Sequence, residues 1–222
     1  MTRHELARML DHSVLKPEAT IEDIRAGIEV VRAWGIGYYC VQPCWVDIAV
    51  EALAGVDATV ISVIGFPHGC DTTDVKARAT EIAIAHGAGE IDMVICVGAL
   101  KSARAAQVAA DIEAVVIAAQ GAPVKVILET AALTLDEKRL ACRLACDAGA
   151  AFVKTSTGFH PAGGATVADV RLMREIVGPR VGVKASGGIR TLADVEAMLA
   201  AGANRIGASS SAAILAAVPD AG

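Results

Sequence analysis

The stretch Gly149-Ala150-Ala151-Phe152-Val153-Lys154-Thr155-Ser156-Thr157-Gly158-Phe159 runs a glycine, a short apolar segment and a hydroxyl-rich turn in immediate succession. The glycine reads as the left-handed stop of a helix, and the apolar segment has the length of a buried parallel strand. The same punctuation recurs along the chain. A glycine closes an Ala-rich segment just ahead of an apolar run at Gly35, Gly87, Gly149 and Gly202, and five residues beyond each stand Cys40, Asp92, Lys154 and Gly207. A shared offset of this kind predicts side chains at comparable heights on their strands, towards the carboxyl ends.

Outward from this stretch, strand-type runs alternate with segments of helical period. The expected strands are Leu10–Leu15, Tyr38–Val41, Val60–Ile64, Glu90–Ile95, Val124–Glu129, Phe152–Thr155, Val181–Ala185 and Arg205–Gly207, eight in all. Between them, Thr20 precedes the period Ile24, Ile28 and Val31. Thr134 with Glu137 forms a capping box ahead of Leu140 and Leu144, and Thr191 with Asp194 opens another helix. Repeated βα units with no linker or shift in composition predict one α/β domain over residues 1–222, a (β/α)8 barrel. A doubly wound open sheet is the structural alternative.

Composition narrows the function classes. The 222 residues are 54% apolar, with 20 Lys and Arg against 25 Asp and Glu for a net charge of −5. No basic stripe is present, which argues against nucleic acid as a partner. No apolar run approaches the about 20 residues that cross a bilayer, and the charged start Thr2-Arg3-His4-Glu5 does not suit a signal peptide. A cytoplasmic protein with no membrane partner is expected. The six cysteines are therefore expected reduced. Cys142 and Cys146 share a helix face, yet no histidine or second cysteine pair lies near them in sequence, and the five histidines show neither HxH nor HExxH spacing. No metal site is predicted.

Candidate chemistry collects at the strand ends. A lysine closing a buried strand is either snorkelling to solvent or functional, and Lys154 gains the second reading from Lys184, which closes Val181-Gly182-Val183-Lys184 one βα unit later. Two ammonium groups on neighbouring strands disfavour each other's charge, which frees one amine to attack a carbonyl. Asp92 interrupts the apolar strand Glu90-Ile91-Asp92-Met93-Val94-Ile95 and shares a face with Glu90 and Val94. It is either a salt-bridge partner for a buried lysine or a general acid and base. Ala185-Ser186-Gly187-Gly188-Ile189 and Gly207-Ala208-Ser209-Ser210-Ser211 follow the last two strands, where barrels commonly bind phosphate through backbone N–H groups. Gly187, Gly188, Gly207, Ser209 and Ser210 are the expected anion site. Glu129 is a supporting candidate for the lysines, and Asp11 and Lys16 either line the pocket or pair with each other.

With these residues placed, the chain resembles the deoxyribose-phosphate aldolases in their short bacterial form. The resemblance rests on Asp11-His12-Ser13-Val14-Leu15-Lys16-Pro17, Gly65-Phe66-Pro67-His68-Gly69, Glu90-Ile91-Asp92-Met93-Val94, Lys125-Val126-Ile127-Leu128-Glu129-Thr130, Lys154-Thr155-Ser156-Thr157-Gly158-Phe159 and Lys184-Ala185-Ser186-Gly187-Gly188-Ile189-Arg190, in order. It implies Lys154 as the Schiff-base lysine, Asp92 as proton donor and acceptor, Lys184 as the lysine that perturbs Lys154, and the glycines and serines as phosphate ligands. It also implies cleavage of 2-deoxy-D-ribose 5-phosphate without metal or organic cofactor, and often a homodimer. Ser13 stands where Thr is usual and Cys96 where many members carry Asn. The last residues, Val218-Pro219-Asp220-Ala221-Gly222, lack the tyrosine of some longer members. Another Schiff-base phosphosugar aldolase, a transaldolase, and a phosphosugar-binding protein without catalysis are the competing expectations.

Overall fold

Eight parallel strands follow one another around a closed barrel in sequence order, with the first hydrogen-bonded to the last. A computed structural model of the chain describes residues 1–219. The missing carboxyl-terminal tyrosine concerns a segment whose last residues, 220–222, lie outside the described residues. The strands are β1 Leu10–Val14, β2 Tyr38–Val41, β3 Thr59–Ile64, β4 Glu90–Val94, β5 Val124–Ile127, β6 Phe152–Lys154, β7 Gly182–Ser186 and β8 Arg205–Ala208. Between and around them lie α1 Arg3–Ala7, α2 Ile21–Trp34, α3 Val46–Ala52, α4 Thr73–Ala85, α5 Val97–Lys101, α6 Ala105–Ala118, α7 Leu135–Asp147, α8 Val167–Val177, α9 Leu192–Ala200 and α10 Ser211–Ala216. This is a (β/α)8 barrel, as the alternating pattern predicts, and not an open sheet.

Local chemistry sets the element ends. Thr20, Thr134 and Thr191 each accept a hydrogen bond from the backbone N–H three residues on, and the acid there accepts one from the cap's own backbone N–H, so α2, α7 and α9 begin with reciprocal capping boxes. Gly35, Gly87, Gly149 and Gly202 all adopt positive φ where helix gives way to strand. Expected and observed strand ends differ by no more than two residues. The largest difference is β5, which stops at Ile127 because Glu129 turns left-handed at φ 58.

Two layers of side chains result. The outward faces of the strands and the inward faces of the helices form one continuous apolar annulus that includes Leu10, Tyr39, Ile91, Val126, Val153, Val183 and Ile206. Inside the barrel the apolar content shrinks to a small cluster of Cys40, Ile61 and Val63. Buried charged residues share this interior, among them the candidates Lys154, Lys184 and Asp92.

One buried ion pair sits in the annulus itself. Lys76 of α4 is fully buried, and its Nζ donates to Asp111 Oδ2 of α6 at 2.5 Å and to the carbonyl of Val94 at the end of β4 at 2.9 Å. Removing the lysine strands a buried carboxylate, a loss of about 3–5 kcal/mol. Lys76→Met is therefore expected to lower unfolding stability in urea by that amount. The double variant Lys76→Met/Asp111→Leu is expected to recover most of it, and equal instability of the two variants would count against an ion pair as the source.

Candidate active site

β6 delivers Lys154 as its last residue, and the parallel register sets Lys184 of β7 directly beside it. Alternation along β4 turns Glu90 and Asp92 inward, which brings the Asp92 carboxylate under both lysines. Lys154 Nζ donates to Asp92 Oδ2 at 2.7 Å, and Lys184 Nζ donates to the same oxygen at 2.7 Å. Lys125 of β5 donates to the other oxygen, Oδ1, at 3.0 Å. Lys184 also bonds Asp11 of β1, and Lys125 pairs with Glu90. Arg205 of β8 completes the set, donating to Asp11 Oδ1 at 3.1 Å and to Glu90 Oε2 at 3.3 Å. The three residues expected to do the chemistry therefore meet on one carboxylate.

Burial and charge act on these groups in opposite directions. Lys154 is 2% exposed. Burial is the largest influence on it and favours the neutral amine; Asp92 opposes this, Lys184 adds to it, and the outcome is a pKa below the ordinary lysine value. The repulsion expected between the two lysines is present but second to desolvation as a lowering cause. Lys184 ends the other way. Burial disfavours its charge too, but Asp11 and Asp92 outweigh the penalty and raise its pKa above the usual lysine value. Asp92 would be pushed up by burial alone, yet Lys125, Lys154 and Lys184 together hold it well below the usual carboxylate range. The site thus contains a depressed amine beside a firmly charged ammonium, bridged by a carboxylate that holds no proton at rest.

Above Lys154 and Lys184 opens a cavity of about 860 Å³, walled by Gly187, Gly188, Gly207 and Ser209 on the β7–β8 side. Gly187 permits a close approach, because a Cβ there would stand 3.0 Å from the Cα of Gly164 and 3.3 Å from that of Gly158. The loops after β6 and β7 press together as a result. Gly207 faces inward, where a Cβ would lie 3.1 Å from Cε of Lys184. Ser210 does not join the cavity wall, although it was expected with Ser209. It is the half-buried residue just ahead of α10, and the next hydroxyl, that of Ser211, turns inward to the Ala208 carbonyl at 3.0 Å.

One further expectation changes and another, left open between two arrangements, is decided. Glu129 does not support the lysines; its left-handed backbone turns it out of β5, and its carboxylate instead accepts from the backbone N–H of Thr157 at 3.3 Å and from the Thr157 hydroxyl at 2.5 Å. Of the two arrangements left open for Asp11 and Lys16, the structure shows the first: both line the cavity, and Asp11 pairs with Lys184 and Arg205. Lys125 and Arg205 were not singled out in sequence, and neither was Arg190, which lines the cavity together with Lys16, Lys154 and Lys184. Cys40 lies within the interior, where burial pushes its thiol up to about 11. Among the described residues no cluster of His, Cys, Asp and Glu is arranged to hold a metal ion. No helix among them is long and apolar enough to cross a membrane.

A family model described as DeoC/LacD family aldolase matches residues 5–217. The chain belongs to this aldolase family. Its sequence is similar to the deoxyribose-phosphate aldolase of Enterococcus faecalis, at 55% identity over 95% of this chain and 96% of that one. A solved chain from Coccidioides immitis superposes with a TM-score of 0.94 at 40% identity, covering 97% of this chain and 86% of that one. The tetrameric deoxyribose phosphate aldolase of Aeropyrum pernix superposes at 0.90 with 32% identity, covering 97% and 91%. In this DeoC/LacD family aldolase the motif residue His12 stands apart from the charge network. It faces away from the charged interior, stacked on Tyr39 with ring centroids 6.0 Å apart, and its Nδ1 lies 3.2 Å from Ser211 Oγ.

Burial pushes the His12 imidazole down to about 4. An unfolded chain would protonate the same ring near 6.5, so between those values the unfolded state binds more protons and native stability falls as pH falls. The contribution amounts to about 3 kcal/mol once pH drops below 4. His12→Gln is expected to flatten the stability profile between pH 6.5 and 4 relative to wild type, measured by urea unfolding at each pH. Parallel profiles would show that His12 protonates freely in the native state.

Proposed function

We propose that this chain cleaves 2-deoxy-D-ribose 5-phosphate reversibly into D-glyceraldehyde 3-phosphate and acetaldehyde, with Lys154 as the Schiff-base nucleophile. The observation that carries the proposal is a buried lysine of lowered pKa sharing one carboxylate oxygen with a second, charged lysine, at the foot of a cavity walled by glycine-rich loops. Family membership and the names of the relatives support the substrate. The neutral amine attacks the C1 aldehyde of the open-chain sugar, and loss of water leaves an iminium. The proton that turns the departing hydroxide into water comes from the Asp92–Lys184 pair. The same pair then accepts the proton of the C3 hydroxyl as the C2–C3 electrons flow into the iminium. D-glyceraldehyde 3-phosphate departs, the enamine is protonated at C2, and hydrolysis releases acetaldehyde and Lys154.

Distance along the barrel supports a short substrate. From Lys154 on β6 to the loop after β8 is two inter-strand spacings of about 4.8 Å each, the length scale of an open-chain five-carbon phosphate. Gly187, Gly188, Gly207 and Ser209 are proposed to hold the phosphate, with the hydroxyl of Ser210 adjacent. Anion binding so far from C2 and C3 supplies orientation that is used in the transition state. We place the enzyme in the cytoplasm, working without metal or organic cofactor in deoxyribose phosphate breakdown. We further propose that it assembles as a homodimer within one domain over residues 1–222; light scattering that gives a monomer or a tetramer would correct the assembly.

Lys154→Ala is expected to reduce turnover of 2-deoxyribose 5-phosphate to the uncatalysed level with the circular dichroism unchanged. Asp92→Asn is expected to lose about 10²–10⁴-fold in kcat. Borohydride reduction in the presence of acetaldehyde should add a two-carbon unit to Lys154, located by mass spectrometry. An adduct on another residue, or a clear preference for ketose phosphates over the deoxy sugar, would replace this reading with that of a different Schiff-base aldolase. Phosphosugar binding without turnover or adduct would point to a binding protein.

A further inference from the structure

The charges inside the barrel form a closed circuit. Glu90 pairs with Lys125, Lys125 with Asp92, Asp92 with Lys184, Lys184 with Asp11, Asp11 with Arg205, and Arg205 with Glu90 again. Three cations and three carboxylates alternate around this ring, and every member has two partners of opposite sign. The ring sums to zero. Lys154 is the seventh charge-bearing group and hangs from Asp92 alone, on an oxygen already taken by Lys184. All seven residues are buried, the most exposed being Arg205 at 7%.

The lower half of the ring never reaches the cavity. Glu90, Lys125 and Arg205 are absent from its wall, as is Asp92, which meets the wall only through Lys154 and Lys184, whereas Asp11, Lys154 and Lys184 line it. Arg205 is instead seated on aromatic rings, its guanidinium carbon 3.3 Å from the Tyr38 centroid and 5.2 Å from that of Phe152. A cation fixed on two ring faces and two carboxylates is held firmly charged.

We propose that this ring is what keeps the Lys154 amine free to attack: by using all the carboxylate charge in the sealed interior, it leaves a proton on Lys154 as the one unbalanced charge. Glu90, Lys125 and Arg205 are then positioning residues that act on the reacting amine through charge balance without touching substrate. The other groups around Lys154 do not alter the count: Ile61 and Val63 of β3 are apolar, Cys40 of β2 remains a neutral thiol, Glu129 is turned out of β5 onto Thr157, and on the cavity wall the cations Lys16 and Arg190 are matched by Glu18 and Asp23. A lone cation in a low-dielectric interior is costly, and the amine at the end of the network is the group that sheds it. The inference rests on Lys154 acting as proposed above.

Deleting a ring cation and deleting a ring anion must therefore shift the amine in opposite directions, a readout that a merely structural role would not produce. The measurement is the pH dependence of borohydride-trapped acetaldehyde on Lys154, quantified by mass spectrometry in wild type, Arg205→Met and Glu90→Gln. Arg205→Met leaves a carboxylate charge for Lys154, so its titration is expected to move up by about one pH unit or more. Glu90→Gln leaves a second surplus cation, so the midpoint is expected to move down. Shifts in one common direction, or none, overturn the inference. Should Arg205→Met fail to fold, the isosteric Glu90→Gln decides alone, with a downward shift supporting the ring and an unchanged or upward one overturning it. No adduct on wild-type Lys154 removes the proposed function and the inference together, whereas a wild-type adduct with unshifted variants removes the inference alone.

Discussion

Three lysine Nζ atoms converge on the Asp92 carboxylate, from Lys125 at 3.0 Å and from Lys154 and Lys184 at 2.7 Å each. Burying any one of these charges alone would cost several kcal/mol. None can be buried until its strand is in register with its neighbours, because the four residues come from β4, β5, β6 and β7. The barrel must close for the charges to be paired, and the charges must be paired for the barrel interior to be tolerated. Their net contribution to stability is small, since desolvation offsets most of the attraction. The apolar annulus outside the strands supplies the favourable burial, which leaves the interior available for chemistry.

This division explains what the sequence disclosed. Strands buried by helices on their outer faces read as apolar runs, and the glycines between helix and strand must accept positive φ, so all eight strands were visible from local pattern. Lys154, Lys184 and Asp92 stood out because each is a charge inside or at the end of an apolar run. Their meeting followed from neighbouring strands of a parallel sheet. Lys125 was as visible in Val124-Lys125-Val126 as Asp92 was in its strand, yet period-two alternation cannot say which face looks inward when both faces are buried.

The remaining residues depend on closure. Arg205 and Asp11 are separated by 194 positions in sequence, and Lys184 and Asp11 by 173. No local pattern connects them. Arg205 opens its strand, where a charged residue is ordinarily solvated, and only the return of β8 against β1 turns it into an interior group. Glu129 erred in the opposite sense. It follows Ile127 and Leu128 in an apolar run and so reads as a strand-end acid, but a left-handed backbone at that residue, which side-chain pattern does not encode, sends it to Thr157.

A closed charge circuit also constrains how an aldolase of this design completes its cycle. Adding or removing net charge in a sealed interior is expensive, so the sum over ring, Lys154 and substrate favours staying constant through the reaction. With Lys154 acting as proposed, that sum is zero at rest because its amine is neutral. Iminium formation places a positive charge on the former amine, and constancy requires the ring to give up a proton in the same step, the one that leaves with water. The ring is then one proton short, and this deficit makes it a base towards the C3 hydroxyl as the carbon–carbon bond opens. Asp92, held well below the usual carboxylate range, is a poor place for the returning proton to settle. Lys184, whose pKa is raised by Asp11 and Asp92 against the burial penalty, is a good one. On the proposed mechanism the carboxylate therefore conducts the proton and the second lysine stores it, a split of roles that follows from each group's place in the circuit and not from its residue type.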